Sequence, residues 1–177
     1  AWKGLPEPRP LLLVVPRHPQ RFDDVADMAS RAGFIVARRS QWRDKPPAEQ
    51  GAADVWIGDS MGEMPTYYAM ADVALLGGSF AALGGQNLIE AEASGCPLLM
   101  GQHTFNFEEA AQMAIDSGAA ARMKDMASAV RRAVALVDDP QRNEWVEQAL
   151  SFGIAHRGAN ERMAQRIAML LTGLDSG

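Results

Sequence analysis

Gly77-Gly78-Ser79, Gly84-Gly85 and Asn87-Leu88-Ile89-Glu90 follow one another in a short stretch behind the apolar run Val73-Ala74-Leu75-Leu76. Residues of these types in this order suit the binding of a nucleotide. Paired glycines let the backbone turn tightly and approach a ligand with no Cβ in the way. A helix starting near Asn87 would turn free N–H groups and its positive dipole end toward an anion. Asn87 and Glu90 also have a local reading, because Asn at an N-cap with Glu three residues on is a capping box. That role is compatible with contact to a ligand.

Three other segments carry groups of the same kind. Pro16-Arg17-His18-Pro19 follows the run Leu11 to Val15, and a guanidinium there, on a turn stiffened by flanking prolines, suits a bidentate contact to phosphate. His18 is expected as an exposed or capping residue, since no carboxylate or cysteine is placed for a relay. Gly58-Asp59-Ser60-Met61-Gly62-Glu63 follows Trp56-Ile57, and its glycines free backbone groups to read a base edge or a ribose. Ser60 and Glu63 again have capping-box spacing. Asp59 lacks the partner cluster of a Mg²⁺ site. In Gly101-Gln102-His103-Thr104-Phe105-Asn106-Phe107, His103 either faces a sugar or caps a helix beginning near Asn106.

The elements that must position these groups alternate between strand and helix. Apolar runs predict strands over Leu11 to Val15, Phe34 to Ala37, Asp54 to Ile57, Val73 to Leu76 and Pro97 to Met100, with a short last one over Ala119 to Arg122. Phe22, Val25, Met28, Ala29 and Ala32 recur at helical spacing up to Gly33. Further helices are expected from Pro65 through Ala71, Asn87 to Ser94, Phe107 to Ser117, Met126 to Val137, Gln141 to about Ala155, and Asn160 to Leu171. Arg39 to Ala53 reads as a long surface loop. The methionines fall mostly on apolar helix faces and are expected in the core. This alternation predicts an α/β fold, a Rossmann-like doubly wound parallel sheet with ligand beyond the carboxyl ends of its strands.

Composition narrows the function. A chain of 177 residues with 47% apolar and 22% charged residues is core-forming. Its net charge of −5 argues against a nucleic-acid binder, which normally carries a basic face; Arg17, Arg38, Arg39 and Arg43 are local exceptions. The single cysteine, Cys96, permits no internal disulfide and is expected as an inert buried thiol. No run of about 18 apolar residues is present. The chain passes through Pro6-Glu7-Pro8-Arg9-Pro10 straight into a core strand, so residues 1–10 are expected to be a linker from an upstream domain and 11–177 a domain of their own. The first strand is not followed by Gly-x-Gly-x-x-Gly, there is no Walker A lysine, and neither HxH nor CxxC occurs. Dehydrogenase and P-loop readings are thereby disfavoured, and no metal or cofactor is expected.

Taken together, four motifs in order resemble the 3-deoxy-D-manno-octulosonic acid (Kdo) transferases of lipopolysaccharide synthesis. They are Val15-Pro16-Arg17-His18-Pro19 with Arg21-Phe22; Gly58 to Glu63; Gly77-Gly78-Ser79 with Gly84-Gly85 and Asn87-x-x-Glu90; and Leu99-Met100-Gly101-x-His103-Thr104-Phe105-Asn106-Phe107. The last is the most specific. The resemblance implies the C-terminal half of a GT-B glycosyltransferase, binding the donor CMP-Kdo, with 11–177 as the nucleotide-sugar-binding domain. Contacts to cytidine monophosphate would come from Pro16 and Arg17, from Met61, Gly62 and Glu63, and from Asn87, Leu88, Ile89 and Glu90, the Glu90 carboxylate accepting from ribose hydroxyls, with Ser79 a further candidate on its turn. It implies no catalytic residue in this chain: the base, the lipid A precursor site and the membrane contact belong to an N-terminal domain, at the cytoplasmic face of the bacterial inner membrane. Three positions depart from the family pattern, Leu83, Gln86 and Leu88 standing where Arg, His and Pro are usual, and they bear on donor geometry and on the number of Kdo residues added. The rival expectations are a UDP-sugar-dependent GT-B enzyme, of transferase or UDP-N-acetylglucosamine 2-epimerase type, and a non-catalytic nucleotide-binding domain.

Overall fold

The structure, a computed structural model, describes residues 1–42, 53–85, 88–155 and 168. These fall into two compact units, Lys3–Tyr67 and a second from Tyr68 onward together with Ala1–Trp2. The predicted helix over Asn160 to Leu171 except Ala168, most of the loop over Arg39 to Ala53, and both Gln86 and Asn87 lie outside the described residues.

In the first unit, β1 (Leu12–Val14), α1 (Phe22–Arg31), β2 (Val36–Arg38) and β3 (Val55–Ile57) follow in chain order. The strands pair in parallel in the order β1-β3-β2. Val55 stands opposite both Leu12 and Val36, and Ile57 opposite both Val14 and Arg38. Their carboxyl ends therefore lie side by side, as parallel pairing with a helical crossover requires. Ala26 of α1 packs on Val55 and Ile57, with Leu12, Val14, Val25, Ala29, Phe34 and Val36 around them. Lys3 Nζ donates to the Ala32 carbonyl at 2.8 Å and the Arg9 guanidinium lies over the Phe34 ring, so part of the expected linker packs on this unit.

α2 (Met64–Met70) takes Pro65 in its first turn, where a missing N–H costs nothing, and the division between the units falls within it. The second unit holds β4 (Ala74–Leu76), α3 (Ile89–Ala93), β5 (Leu98–Met100), α4 (Glu108–Asp116), β6 (Ala120–Arg122) and α5 (Met126–Val137). Residues 142–155 form a further helix, α6. The strands are again parallel, in the order β4-β5-β6, with Leu76, Met100 and Arg122 in register. β5 is buried along its whole length, as its uninterrupted apolar sequence requires of a central parallel strand. Leu88, Ala91, Cys96, Leu98, Met100, Ala111, Ala114, Ala149 and Phe152 make the core, and burial pushes the Cys96 thiol up to about 12.

The methionine expectation is corrected. Met100 is buried, but Met28, Met61, Met70, Met113 and Met126 are all exposed. Helical spacing identifies a stripe but not its margins, where a flexible thioether is tolerated against water. Two cap expectations are also corrected. α3 begins at Ile89, with Leu88 in the N-cap position and no side-chain cap. Phe107, not Asn106, holds the N-cap position of α4; the Asn106 amide instead donates to the Leu83 carbonyl at 3.3 Å.

Candidate functional site

In the first unit, the register of β1, β3 and β2 sends Pro16-Arg17, Gly58 to Glu63 and Arg39-Ser40 off the same edge of one sheet. Arg17 is exposed and forms no hydrogen bond or ion pair among the described residues. It is a cation free to meet a ligand. Pro16 is half-buried beneath it, and the Pro19–Arg21 turn follows, with the Arg21 N–H donating to the His18 carbonyl at 2.9 Å.

The segment after β3 is held at both ends. The Asp59 side chain, 1% exposed, accepts from Arg38 Nε at 2.7 Å, from the Ser40 N–H at 2.7 Å and from the Ser40 hydroxyl at 2.6 Å. Burial alone would raise its pKa, but these hydrogen bonds, those from Ser40 foremost, outweigh burial and hold the carboxyl below its usual range. Arg38 also reaches Asp23 at 2.7 Å. At the other end, Glu63 accepts from Arg39 at 2.7 Å, from the Tyr67 hydroxyl at 3.1 Å and from the Ser60 hydroxyl. The Ser60 bond is the largest influence lowering the Glu63 pKa; burial opposes it, and Arg39 and Tyr67 add to it. Ser60 and Glu63 thus meet side chain to side chain, which is not the reciprocal backbone capping their spacing suggests. Met61 and Gly62, between the two anchors, are exposed.

In the second unit, Gly77-Gly78-Ser79 and Gly101 to Phe107 leave neighbouring strand ends. Ser79, expected as a ligand candidate, is fully buried and its hydroxyl is used by the fold: it donates to the Leu76 carbonyl at 2.5 Å and accepts from the Gly101 N–H at 2.7 Å. The Ser79 carbonyl accepts from the His103 N–H at 3.0 Å. Gly84 sits at φ +80°, and a Cβ there would lie 2.3 Å from the Asn106 side chain, so this turn requires glycine. Leu88, expected as a contact residue, is fully buried in the core of this unit. Ile89 is half-buried and Glu90 is exposed, its carbonyl accepting from the Ser94 hydroxyl at 3.0 Å. Asn87 lies outside the described residues. α3 has only five residues, so its dipole is weaker than a full helix would supply. His103 and Phe105 are exposed beside Thr104, which is buried and joined to Glu108 and Arg122 at 2.5 and 3.0 Å.

Sequence reasoning missed Ser40, Tyr67 and the Thr104–Glu108–Arg122 cluster, and took Arg38 and Arg39 as stray cations. The signal was available for the first group: Arg-Arg-Ser ends one strand, and Asp59 follows the strand paired with it. Among the described residues no group of three or more His, Cys, Asp or Glu side chains is placed to hold a metal ion, and no helix is long and apolar enough to cross a membrane.

Parallel three-stranded sheets, crossover helices and glycine turns at the strand ends define a Rossmann-like α/β protein. Over 80% of this chain, the structure matches the crystal structure of the C-terminal CMP-Kdo binding domain of WaaA from Acinetobacter baumannii, with a TM-score of 0.73 and 31% identity, covering 72% of that chain. The 3-deoxy-D-manno-octulosonic acid transferase of Bordetella pertussis is 51% identical over 156 residues, and that of Haemophilus influenzae 38% over 158, each match covering 88% of this chain. The chain belongs to the Kdo transferase family. It spans 36% of the length of these two curated relatives. No family model matches it.

Proposed function

We propose that this domain binds the nucleotide part of CMP-Kdo and serves as the donor half of an enzyme that moves Kdo onto a lipid A precursor. The observation that carries this reading is the match over 80% of the chain to a domain described as binding CMP-Kdo. The exposed groups at the strand ends agree with it in kind. Arg17, without a partner among the described residues, is a cation for the phosphate, and Glu90 is an exposed carboxylate for ribose hydroxyls. Pro16, Met61, Gly62, the Glu63 backbone, Asn87 and Ile89 complete the proposed contact set, while Leu88 packs in the core.

In the transfer, an acceptor hydroxyl loses its proton to a base as its oxygen bonds to the anomeric carbon of Kdo. CMP departs with the electrons of the broken bond. The share of this chain is to hold CMP and offset the charge of the departing phosphate through Arg17. The base, the acceptor site and the contact with the inner membrane are assigned to the part of the enzyme beyond this domain.

The test is calorimetric titration of the chain with CMP, UDP and AMP. CMP is expected to bind best, and Arg17→Ala and Glu90→Ala to weaken it about ten-fold or more each, the scale of a lost charge-assisted hydrogen bond. Preference for UDP, or CMP binding unchanged in both variants, overturns the assignment.

A further inference from the structure

Consecutive residues at the end of β2 reach the two carboxylates that bracket an exposed turn. Arg38 and Ser40 hold Asp59, and Arg39 holds Glu63. Between these anchors Met61 is 68% exposed, and Gly62 sits at φ +78° with open space where a Cβ would be. The Arg39 guanidinium is itself kept in place, lying 5.6 Å from the centroid of the Trp42 ring, which meets Trp56 edge-on at 4.6 Å.

Both Glu63 oxygens are engaged, one by Arg39 and the other by the hydroxyls of Ser60 and Tyr67. Three donors converging on one carboxylate leave it little capacity for a ligand, while they fix the chain direction at Gly62. Arg17, by contrast, has no such partner among the described residues. We propose that Arg39, with Ser60 and Tyr67, is a positioning residue of the nucleotide site, clasping Glu63 so that the exposed Met61-Gly62 backbone is presented to the ligand, and that the Glu63 carboxylate acts through this clasp without touching the nucleotide. The Arg38–Ser40–Asp59 knot is the second, buried half of the same clasp. The inference rests on the donor-nucleotide reading for its ligand but not for its geometry.

The experiment has two arms. In the first, the chain and its Arg39→Met, Arg39→Lys, Glu63→Ala and Arg39→Met/Glu63→Ala variants are titrated with CMP. Arg39→Met and Glu63→Ala are each expected to weaken binding about ten-fold, the double variant to be no weaker than either single one, and Arg39→Lys to recover most of the loss, because coupled residues give non-additive effects. Independent, multiplying losses, or a loss in Glu63→Ala with none in Arg39→Met, would mean that Glu63 meets the nucleotide directly and would overturn the proposal. In the second arm, amide hydrogen exchange is followed across Met61 to Glu63 without ligand. Arg39→Met is expected to speed exchange there about ten-fold at an unchanged thermal midpoint, and unchanged exchange overturns the clasp. If the unsubstituted chain binds no CMP, the donor reading fails, and the exchange arm alone decides the clasp.

Discussion

The Glu92 side chain lies wholly inside the second unit, and among the described residues neither of its carboxylate oxygens meets a hydrogen-bond partner. Its neighbour Ala93 is pressed by Gly153 of α6, where a Cβ would approach the Ala93 Cα to 2.6 Å. Burial pushes the carboxyl up to about 8, so the side chain is mostly protonated at neutral pH. The sign of the linkage follows. The folded pKa lies above that of the unfolded chain, so the folded state holds the extra proton, and stability is fullest below the ordinary carboxylate pKa of about 4.3 and is lost as pH rises toward 8. Glu92→Gln removes this loss because an amide does not titrate. Its thermal midpoint is expected to exceed that of the unsubstituted chain by roughly 5 °C at pH 8 and to converge with it near pH 5. Calorimetric scans from pH 5 to 9 check this, and parallel curves for the two proteins would show that Glu92 is ionised or solvated throughout. Glu90, two residues earlier on the same short helix, is exposed, so two adjacent acidic positions have opposite environments. Residue type alone assigned neither.

The turns after β4 and β5 are joined through one hydroxyl. Ser79 ties the Leu76 carbonyl to the Gly101 N–H, and its own carbonyl takes the His103 N–H, so the two glycine-bearing loops are bonded to each other. Ser79→Ala leaves the buried Gly101 N–H without its acceptor and is expected to cost about 2 kcal/mol, while Ser79→Cys recovers only part of it. Urea unfolding measures this, and a loss below about 0.5 kcal/mol would mean that the loops are held by other contacts. The elements themselves were legible in the sequence. All six strands lie where apolar runs bounded by Gly, Pro and polar residues place them, and α5 has the predicted bounds, Met126 to Val137. Asp125 caps α5 in a reciprocal box with Ser128. What the sequence hid is the direction of single side chains at the ends of elements. Ser79 turns inward where a serine on a glycine turn suggested a ligand contact, and Asn106 bonds Leu83 where a cap was expected. Ser60 and Glu63 form half of a side-chain network because Arg39 and Tyr67 stand beside them. These choices depend on which loops become neighbours, which strand register decides and local spacing does not.

At the scale of the whole chain, what is present sets what it does alone. A glycosyl transfer needs a held donor, a bound acceptor and a base at the acceptor hydroxyl. This chain spans 36% of the length of the Bordetella pertussis relative, and the groups it displays at its strand ends suit the first requirement. Arg17 has no ion-pair partner among the described residues, and Glu63 and Asp59 are held ionised by their partners and committed to the fold. A carboxylate whose pKa is lowered in this way is a poor base. Incubated with CMP-Kdo and a lipid A precursor, the chain alone is therefore expected to bind donor and to form no glycosylated product by mass spectrometry. Grafted in place of the corresponding C-terminal region of the Bordetella pertussis transferase, to which it is 51% identical, it is expected to support Kdo addition. In that chimera Arg17→Ala should lower kcat/KM about ten-fold or more, since a contact to the departing phosphate strengthens as charge develops there. Product formed by the isolated chain would place a base within it, and an inactive chimera that still binds CMP would mean that the domain recognises the nucleotide but is not built to serve as the donor half.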